Sequence, residues 1–467
     1  MTNYLQTYQG DDHGRQRRTG NVWMVSAIIL AAVTGNGFLP LAWAMAQLGW
    51  ISGPLVMLFF FAVTVSTSFF ISECYDHQSH VEPTLGFQGA IRTFLGEIHV
   101  LMYRIVHGLN LFGLTIGDII ASSLSMMALM KFHCFDVNHG KDGCHMNINS
   151  FMIAIGFLQV FLSQIPAFDQ LWQLFYVEPF LSFIYSTFLI ALGIAKISET
   201  GEFRGSLTGI SIGTVSLFGK GKISRIFLAV GDIAFAYRDY SANTICEVQE
   251  KVESPPLGLK KIMKKAIMIS SAFMTFMYML CSCVSYAAFG DHSTPRDLLA
   301  DLGFGFNNLY NWLLVTANVA LVIQCVGAYQ VHSRALSDVI EDAVTKRFPA
   351  QITREIIIPS FRPYKLNLFR LVWRTIFALT TTLIAMLLPF FNDVVGLIGA
   401  LGFWPLTVYF PVQMYIEKNK IPKWSTKWIL LQIMSVLCLI VSIAAAAGSI
   451  AGFVLDLETY KPFKTND

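Results

Sequence analysis

Two stretches of this chain join apolar length to groups suited to holding a small zwitterion. The first covers about residues 22 to 48 and is interrupted at Gly35-Asn36-Gly37; the second covers about 223 to 250 and is interrupted around Gly231-Asp232. Glycine loses more backbone freedom on ordering than any other residue, so Gly-Asn-Gly and Gly-Asp inside apolar runs read as places where backbone is exposed for a ligand. At the first break, unwound N–H groups of Gly35, Asn36 and Gly37 and the positive end of the helix restarting after them suit a carboxylate. Asn36 adds a side-chain donor, Phe38 and Trp43 offer apolar walls, and Pro40 follows. A kink that serves packing alone is the other reading of these glycines. At the second break, Asp232 is an acidic group within a membrane segment, costly unless it meets a cavity or a partner. It would bind an ammonium or take up a proton; the alternative is a cap on the second half of its span. Phe235 and Tyr237 read most simply as core, with ligand contact by Phe235 as the second reading.

These residues sit in a chain built for lipid. Of 467 residues, 54% are hydrophobic and 13% charged, and the mean hydropathy is +0.54, more apolar side chain than a soluble core of this length would hide. Roughly eleven apolar runs are long enough to span a bilayer, centred within about 22–48, 53–73, 100–130, 150–165, 172–196, 223–249, 262–289, 308–332, 371–390, 393–416 and 428–455. The expected fold is therefore an all-α polytopic membrane protein. Breaks in the first and sixth runs divide it into a first repeat of about 22–196 and a second of about 223–416, entering the bilayer from opposite sides as a five-plus-five inverted repeat. The whole transmembrane domain covers 22–456, with an extra helix at about 428–455 whose Ala444–Gly452 stretch favours close packing. Paired breaks of this kind point to the substrate site of a secondary transporter.

The net charge of +3 is too small to argue for nucleic acid, and its distribution says more. Lys and Arg gather on the side of the N-terminal tail, residues 1–21, at positions such as Arg17, Lys261, Lys264, Arg347, Arg362 and Lys420. That bias places the N-terminus in the cytoplasm and, with an odd number of spans, the tail at 457–467 outside. The first twenty residues are polar and lack a signal peptide's apolar stretch. No cysteine, His or carboxylate spacing matches a metal site, and no constellation has catalytic spacing, so an enzyme is not expected. Cys134 and Cys144 share a loop on the oxidising side and either bridge or stay as two thiols. The long connection at about 333–370 begins as an extension of the eighth span and reads as a short amphipathic cytoplasmic element. Other ionisable groups fall within spans: Arg104, Asp118, Glu178, Arg238 and Asp239. Neighbours in sequence diverge on a helix, so Arg238 and Asp239 are expected to find separate partners. Asp118 lies two turns beyond Asn110, on the side of the breaks or else near outer water.

Several strings then resemble one family closely: RTGNVW (18–23), LAWAMAQLGWISGP (41–54), GSLTGISIGTV (205–215), GDIAFAY (231–237), MLLPFFNDVVGLIGALGFWPLTVYFPV (386–412), IPKWSTKW (421–428) and YKPF (460–463). On these the chain is identified as a member of the plant amino acid permease family, proton-coupled symporters related to the amino acid/auxin permeases. The resemblance implies a leucine-transporter-like fold, plasma-membrane location, and amino acid import driven by protons, with the proton as coupling ion and no other cofactor. It also marks departures. The family's GSGVLSLAWA reads GNGFLPLAWA here, and RDYSANTICEVQEK carries about two extra residues after GDIAFAY. The family's tyrosine on the third span appears as Asp118, its histidine on the eighth as Gln324, and its glutamate on the tenth as Gln413. The expected site thus docks a substrate carboxylate at Gly35–Gly37 and its ammonium at Gly231-Asp232, with the side chain toward Asn110, Asn318 and Tyr329 and with Asp232 and Asp118 as candidates for the proton. The departures also raise a second reading, a permease-derived amino acid sensor that binds without moving its ligand.

Overall fold

The computed structural model describes residues 21–76, 86–137, 146–165, 174–209, 222–238, 242–251, 256–290, 311–347, 355–358 and 364–459. Apart from the breaks described below, the described residues of each expected apolar run are helical or nearly so. In chain order the helices are α1 (Val22–Val33), α2 (Leu41–Asp76), α3 (Gly86–Leu95), α4 (Glu97–Val137), α5 (Ile148–Ser163), α6 (Leu174–Thr200), α7 (Lys222–Tyr237), α8 (Ala242–Lys251), α9 (Pro256–Phe289), α10 (Asn311–Arg347), α11 (Leu368–Leu387), α12 (Phe391–Gly402), α13 (Phe410–Lys418) and α14 (Thr426–Thr459). Among the described residues, eight helices are long and apolar enough to cross a membrane, and α1 and α5 are shorter apolar ones. Side chains such as Leu55, Phe157, Trp312 and Leu430 remain exposed along them, as lipid-facing positions do. The tails at 1–20 and 460–467 lie outside the described residues, and α14 takes in 457–459, which the sequence had assigned to the tail.

The first span breaks where expected. Helix α1 stops at Val33, Thr34 turns extended, a single 3-10 turn covers Asn36–Phe38, and α2 restarts just after Pro40. Proline suits a helix start, because its missing N–H would lack an intrahelical partner there anyway. Thr34 offsets part of the lost ladder by donating its hydroxyl to the Leu30 carbonyl at 2.5 Å. Within α2 the first span turns into the second at Gly49, whose φ of +78° favours glycine. The backbone of Gly209, itself at φ +69°, lies directly on that bend, and Trp50 and Ile51 donate N–H groups to the Ser206 and Leu207 carbonyls at 3.3 and 3.2 Å. A Cβ on either glycine would meet backbone, so both positions close this end of the molecule.

The sixth span breaks later than the sequence suggested. Helix α7 runs unbroken through Gly231 and Asp232 to Tyr237, and the interruption begins at Arg238 before α8 resumes at Ala242. A single Gly is tolerated within a helix when its neighbours need close approach. That is the case here: a Cβ on Gly231 would lie 2.8 Å from the Gly396 carbonyl of α12. The tenth span also departs from regularity, with π-helical Phe403–Tyr409 joining α12 to α13. After α10, Glu355–Ile358 and Tyr364–Asn367 pair as two antiparallel strands, the only strands among the described residues. At the end where α2 and α13 finish and α9 begins, Lys264 pairs with the Glu73 carboxylate and Lys418 with its carbonyl. Arg370 pairs with Glu341 at 2.8 Å where α10 leads toward α11.

Candidate functional site

The two interruptions meet. Gly37, at the first break, packs so closely on α7 that a Cβ there would stand 3.1 Å from the Ala236 Cα and 3.1 Å from the Tyr278 hydroxyl. A fully buried tyrosine reaches a backbone carbonyl at each break. Tyr185 of α6 donates to the Gly35 carbonyl at 3.0 Å, and Tyr278 of α9 donates to the Ala236 carbonyl at 3.1 Å. Phe38 lies between the two, edge-on to both rings with centroids 6.0 and 4.7 Å away. Tyr237 extends the cluster, donating to Thr275 at 3.1 Å and lying 6.1 Å from Phe60. The N-terminal end of the restarted α2 and the C-terminal end of α7 thus lie near one another, a positive helix end and a negative one. Such an arrangement can take both ends of a zwitterion.

Phe38 is thus part of the wall that holds the breaks. Tyr185 and Tyr278 were missed by sequence reasoning; the signal available was a phenol at mid-span in otherwise apolar helices, which needs a hydrogen-bond partner once buried. Tyr278→Phe should leave the Ala236 carbonyl buried and unpaired, a cost of about 1–3 kcal/mol. Thermal unfolding in detergent is expected to register that loss together with a raised KM for substrate.

Arg238 marks the second break. It is buried, donates to the Asn110 side-chain oxygen of α4 at 3.2 Å, and lies 4.3 Å over the Phe235 ring. Asn110 thus meets Arg238 at the second break; Asp239, and with it the expectation that the two neighbours find separate partners, lies outside the described residues. Asp118 is 2% exposed, and its Oδ2 lies 2.9 Å from Nδ1 of His332 on α10, so it is an interior residue. Asn318 is buried but spends its amide on the Leu314 carbonyl at 3.0 Å, and the Tyr329 hydroxyl turns to Thr381 of α11 at 3.0 Å. Neither contact brings these two to the breaks.

Asp232 stands five residues before Tyr237, about 7.5 Å up the helix axis from the break. Its carboxylate is fully buried against α12, where a Cβ on Gly396 would be 3.2 Å from Oδ1. No hydrogen-bond donor reaches either of its oxygens among the described residues. Asp393 of α12, 4% exposed, is the charged neighbour, and its Oδ1 also lacks a donor. Cys134 is disulfide-bonded, and Cys144 lies outside the described residues. Among the described residues no group of three His, Cys, Asp or Glu side chains is placed to hold a metal.

Residues 18–455 match the family described as transmembrane amino acid transporter protein. The chain belongs to that family. Amino acid permease 3 of Arabidopsis thaliana is 54% identical over 461 residues, 97% of this chain and 95% of its own length. Amino acid permease 2 of the same organism is 51% identical, covering 97% and 92%. A manganese transporter from Eremococcus coleocola, solved in complex with an aromatic bis-isothiourea compound, superposes with a TM-score of 0.55 at 12% identity over 92% of this chain and 87% of that one. The last likeness shows the fold, a leucine-transporter-like bundle. This member of the transporter family is a multi-pass membrane protein and not an enzyme.

Proposed function

We propose that this permease carries amino acids into the cell across the plasma membrane together with protons, with its N-terminus in the cytoplasm and its C-terminus outside. The contact of Gly37 with Ala236 carries the reading, because it sets the amide end of one interrupted span beside the carbonyl end of another. The substrate carboxylate docks on the N–H groups around Gly35, Asn36 and Gly37, and the ammonium on the last carbonyls of α7, between Gly231 and the break. Phe38 and Phe235 supply apolar surface, while Asn110 orders the far side through Arg238. Asn318 and Tyr329, bonded to Leu314 and Thr381, take no direct part in this docking. Asp232 and Asp118 are the interior carboxylates available for protons, and the cytoplasmic placement of Lys264, Lys418 and Arg370 follows from the basic-residue bias.

A sensor that binds without transport is the second reading, favoured by Arg238, whose guanidinium already holds Asn110 beside the breaks. Radiolabelled uptake and equilibrium binding, measured on the same purified chain in vesicles with an inward proton gradient, separate the two. Accumulation that collapses with the gradient is the expected result across a panel of neutral, acidic and basic amino acids. Saturable binding with no accumulation would replace the importer by the sensor.

A further inference from the structure

We propose that Arg238 and Asn110 together receive the side-chain carboxylate of the substrate, so that this permease favours acidic amino acids; this rests on the docking at the two breaks described under the proposed function. The two residues come from different spans and meet directly. Arg238, just past the end of α7, donates from Nη1 to Asn110 Oδ1 of α4 at 3.2 Å. Both are buried, at 7% and 9% exposure. The bond engages the oxygen of the Asn110 amide and turns its nitrogen away from Arg238. Asn110 Nδ2 has no acceptor among the described residues, and it presses on the place where α12 meets the π-helical turn, so that a Cβ on Gly402 would collide with it. A buried amide donor without an acceptor is costly, and an oxygen that arrives with a ligand relieves it.

The guanidinium beside that amide suits the same guest. It presents five N–H donors in a rigid fork that matches the two oxygens of a carboxylate, enough to hold Asn110 and a second acceptor together. Its position is fixed by packing: its carbon lies 4.3 Å from the centre of the Phe235 ring, one turn back along α7. Phe235 in turn is seated on α12, where a Cβ on Gly399 would stand 2.6 Å from the Phe235 nitrogen. Arg238 also follows Ala236, the residue that meets Gly37, by only two positions, about 3 Å along a helix axis. A dicarboxylic amino acid can thus keep its α-carboxylate at the first break and its ammonium on the last carbonyls of α7, while its side chain reaches toward α4. The carboxylate on the same span, Asp118, stands two turns beyond Asn110 and has Nδ1 of His332 at 2.9 Å. The sign follows from charge. A cation beside the carbonyls that receive the ammonium favours a substrate that brings a negative group to it and disfavours one that brings a second positive group. Arg238 opens RDYSANTICEVQEK, the string in which this chain departs from its family, so the preference belongs to this chain.

The test measures KM for radiolabelled glutamate, glutamine and lysine with the purified full chain in vesicles, at one external pH and one proton gradient. Glutamate and glutamine have nearly the same shape, so their ratio reads the charge alone. In the unsubstituted protein the KM for glutamate is expected to lie about tenfold below that for glutamine, with lysine weakest. Arg238→Gln removes the cation and is expected to bring the two isosteres within about twofold of each other, whatever happens to the overall rate. Asn110→Asp reaches the same end by another route, because its carboxylate takes the Arg238 fork from within the protein, and it keeps the question open to measurement even if Arg238→Gln is not recovered folded. A glutamate preference that persists in either variant overturns the proposal, as does an unsubstituted protein that takes glutamine or lysine as readily as glutamate. An unsubstituted protein that binds none of the three would instead remove the docking reading itself.

Discussion

Gly37→Val is expected to lower substrate affinity by about 100-fold, a loss of about 2.7 kcal/mol. The reason lies in what surrounds that residue. A bare Cβ would already stand 3.1 Å from the Ala236 Cα and the Tyr278 hydroxyl, so the two branching methyl groups of valine have nowhere to go. They would push α2 and α7 apart and break the hydrogen bond by which Tyr278 holds the Ala236 carbonyl. Overpacking of this kind typically costs about 1–3 kcal/mol in a closely packed interior. Here the cost falls on the contact that brings an amide end and a carbonyl end together. Gly37→Ala needs only a few tenths of an ångström and should lose less than about tenfold. Equilibrium binding of a radiolabelled amino acid to purified protein checks both, and a valine variant with unaltered affinity would show that the substrate sits elsewhere.

Asp232→Asn is expected to separate stability from coupling. A buried carboxylate with no donor in reach is costly to hold, several kcal/mol if it stays ionised, and Asp393 beside it adds repulsion instead of relief. Asparagine keeps the shape and removes the charge, so thermal unfolding of the variant should occur at the same temperature as for the unsubstituted protein or higher. Asparagine also cannot take up a proton. Gradient-driven accumulation should therefore fall more than about tenfold and lose its response to external pH, while counterflow, which needs no net proton movement, continues. Full accumulation with an unchanged pH profile would remove Asp232 from the mechanism and leave it as a packing residue between α7 and α12.

Both predictions depend on a site only partly legible beforehand. The spans could be read because apolar runs of membrane length have little alternative in lipid, where every backbone group must find a partner within the chain. The first break could be read for a similar reason: Gly35, Asn36, Gly37 and Pro40 all disfavour a continuous helix. Gly231 and Asp232 carried the same local signal and yet lie within an unbroken helix, because Gly231 serves the approach of α7 to Gly396. A glycine alone does not tell a break from a close contact; the facing helix decides.

The sequence by itself determined the all-helical membrane architecture, the two interrupted spans as a feature, and the family, since each follows from composition, local backbone preference or long matching strings. Only the tertiary structure decided the position of the second break, the pairing of Tyr185 and Tyr278 with the Gly35 and Ala236 carbonyls, the placement of Asp232 against Asp393, and the partnership of Asp118 with His332. The physical reason is range. Helix length and helix breaking are set within a few residues along the chain, whereas a buried hydroxyl, carboxylate or imidazole takes its meaning from a partner on another helix: 150 positions away for Tyr185 and Gly35, 214 for Asp118 and His332.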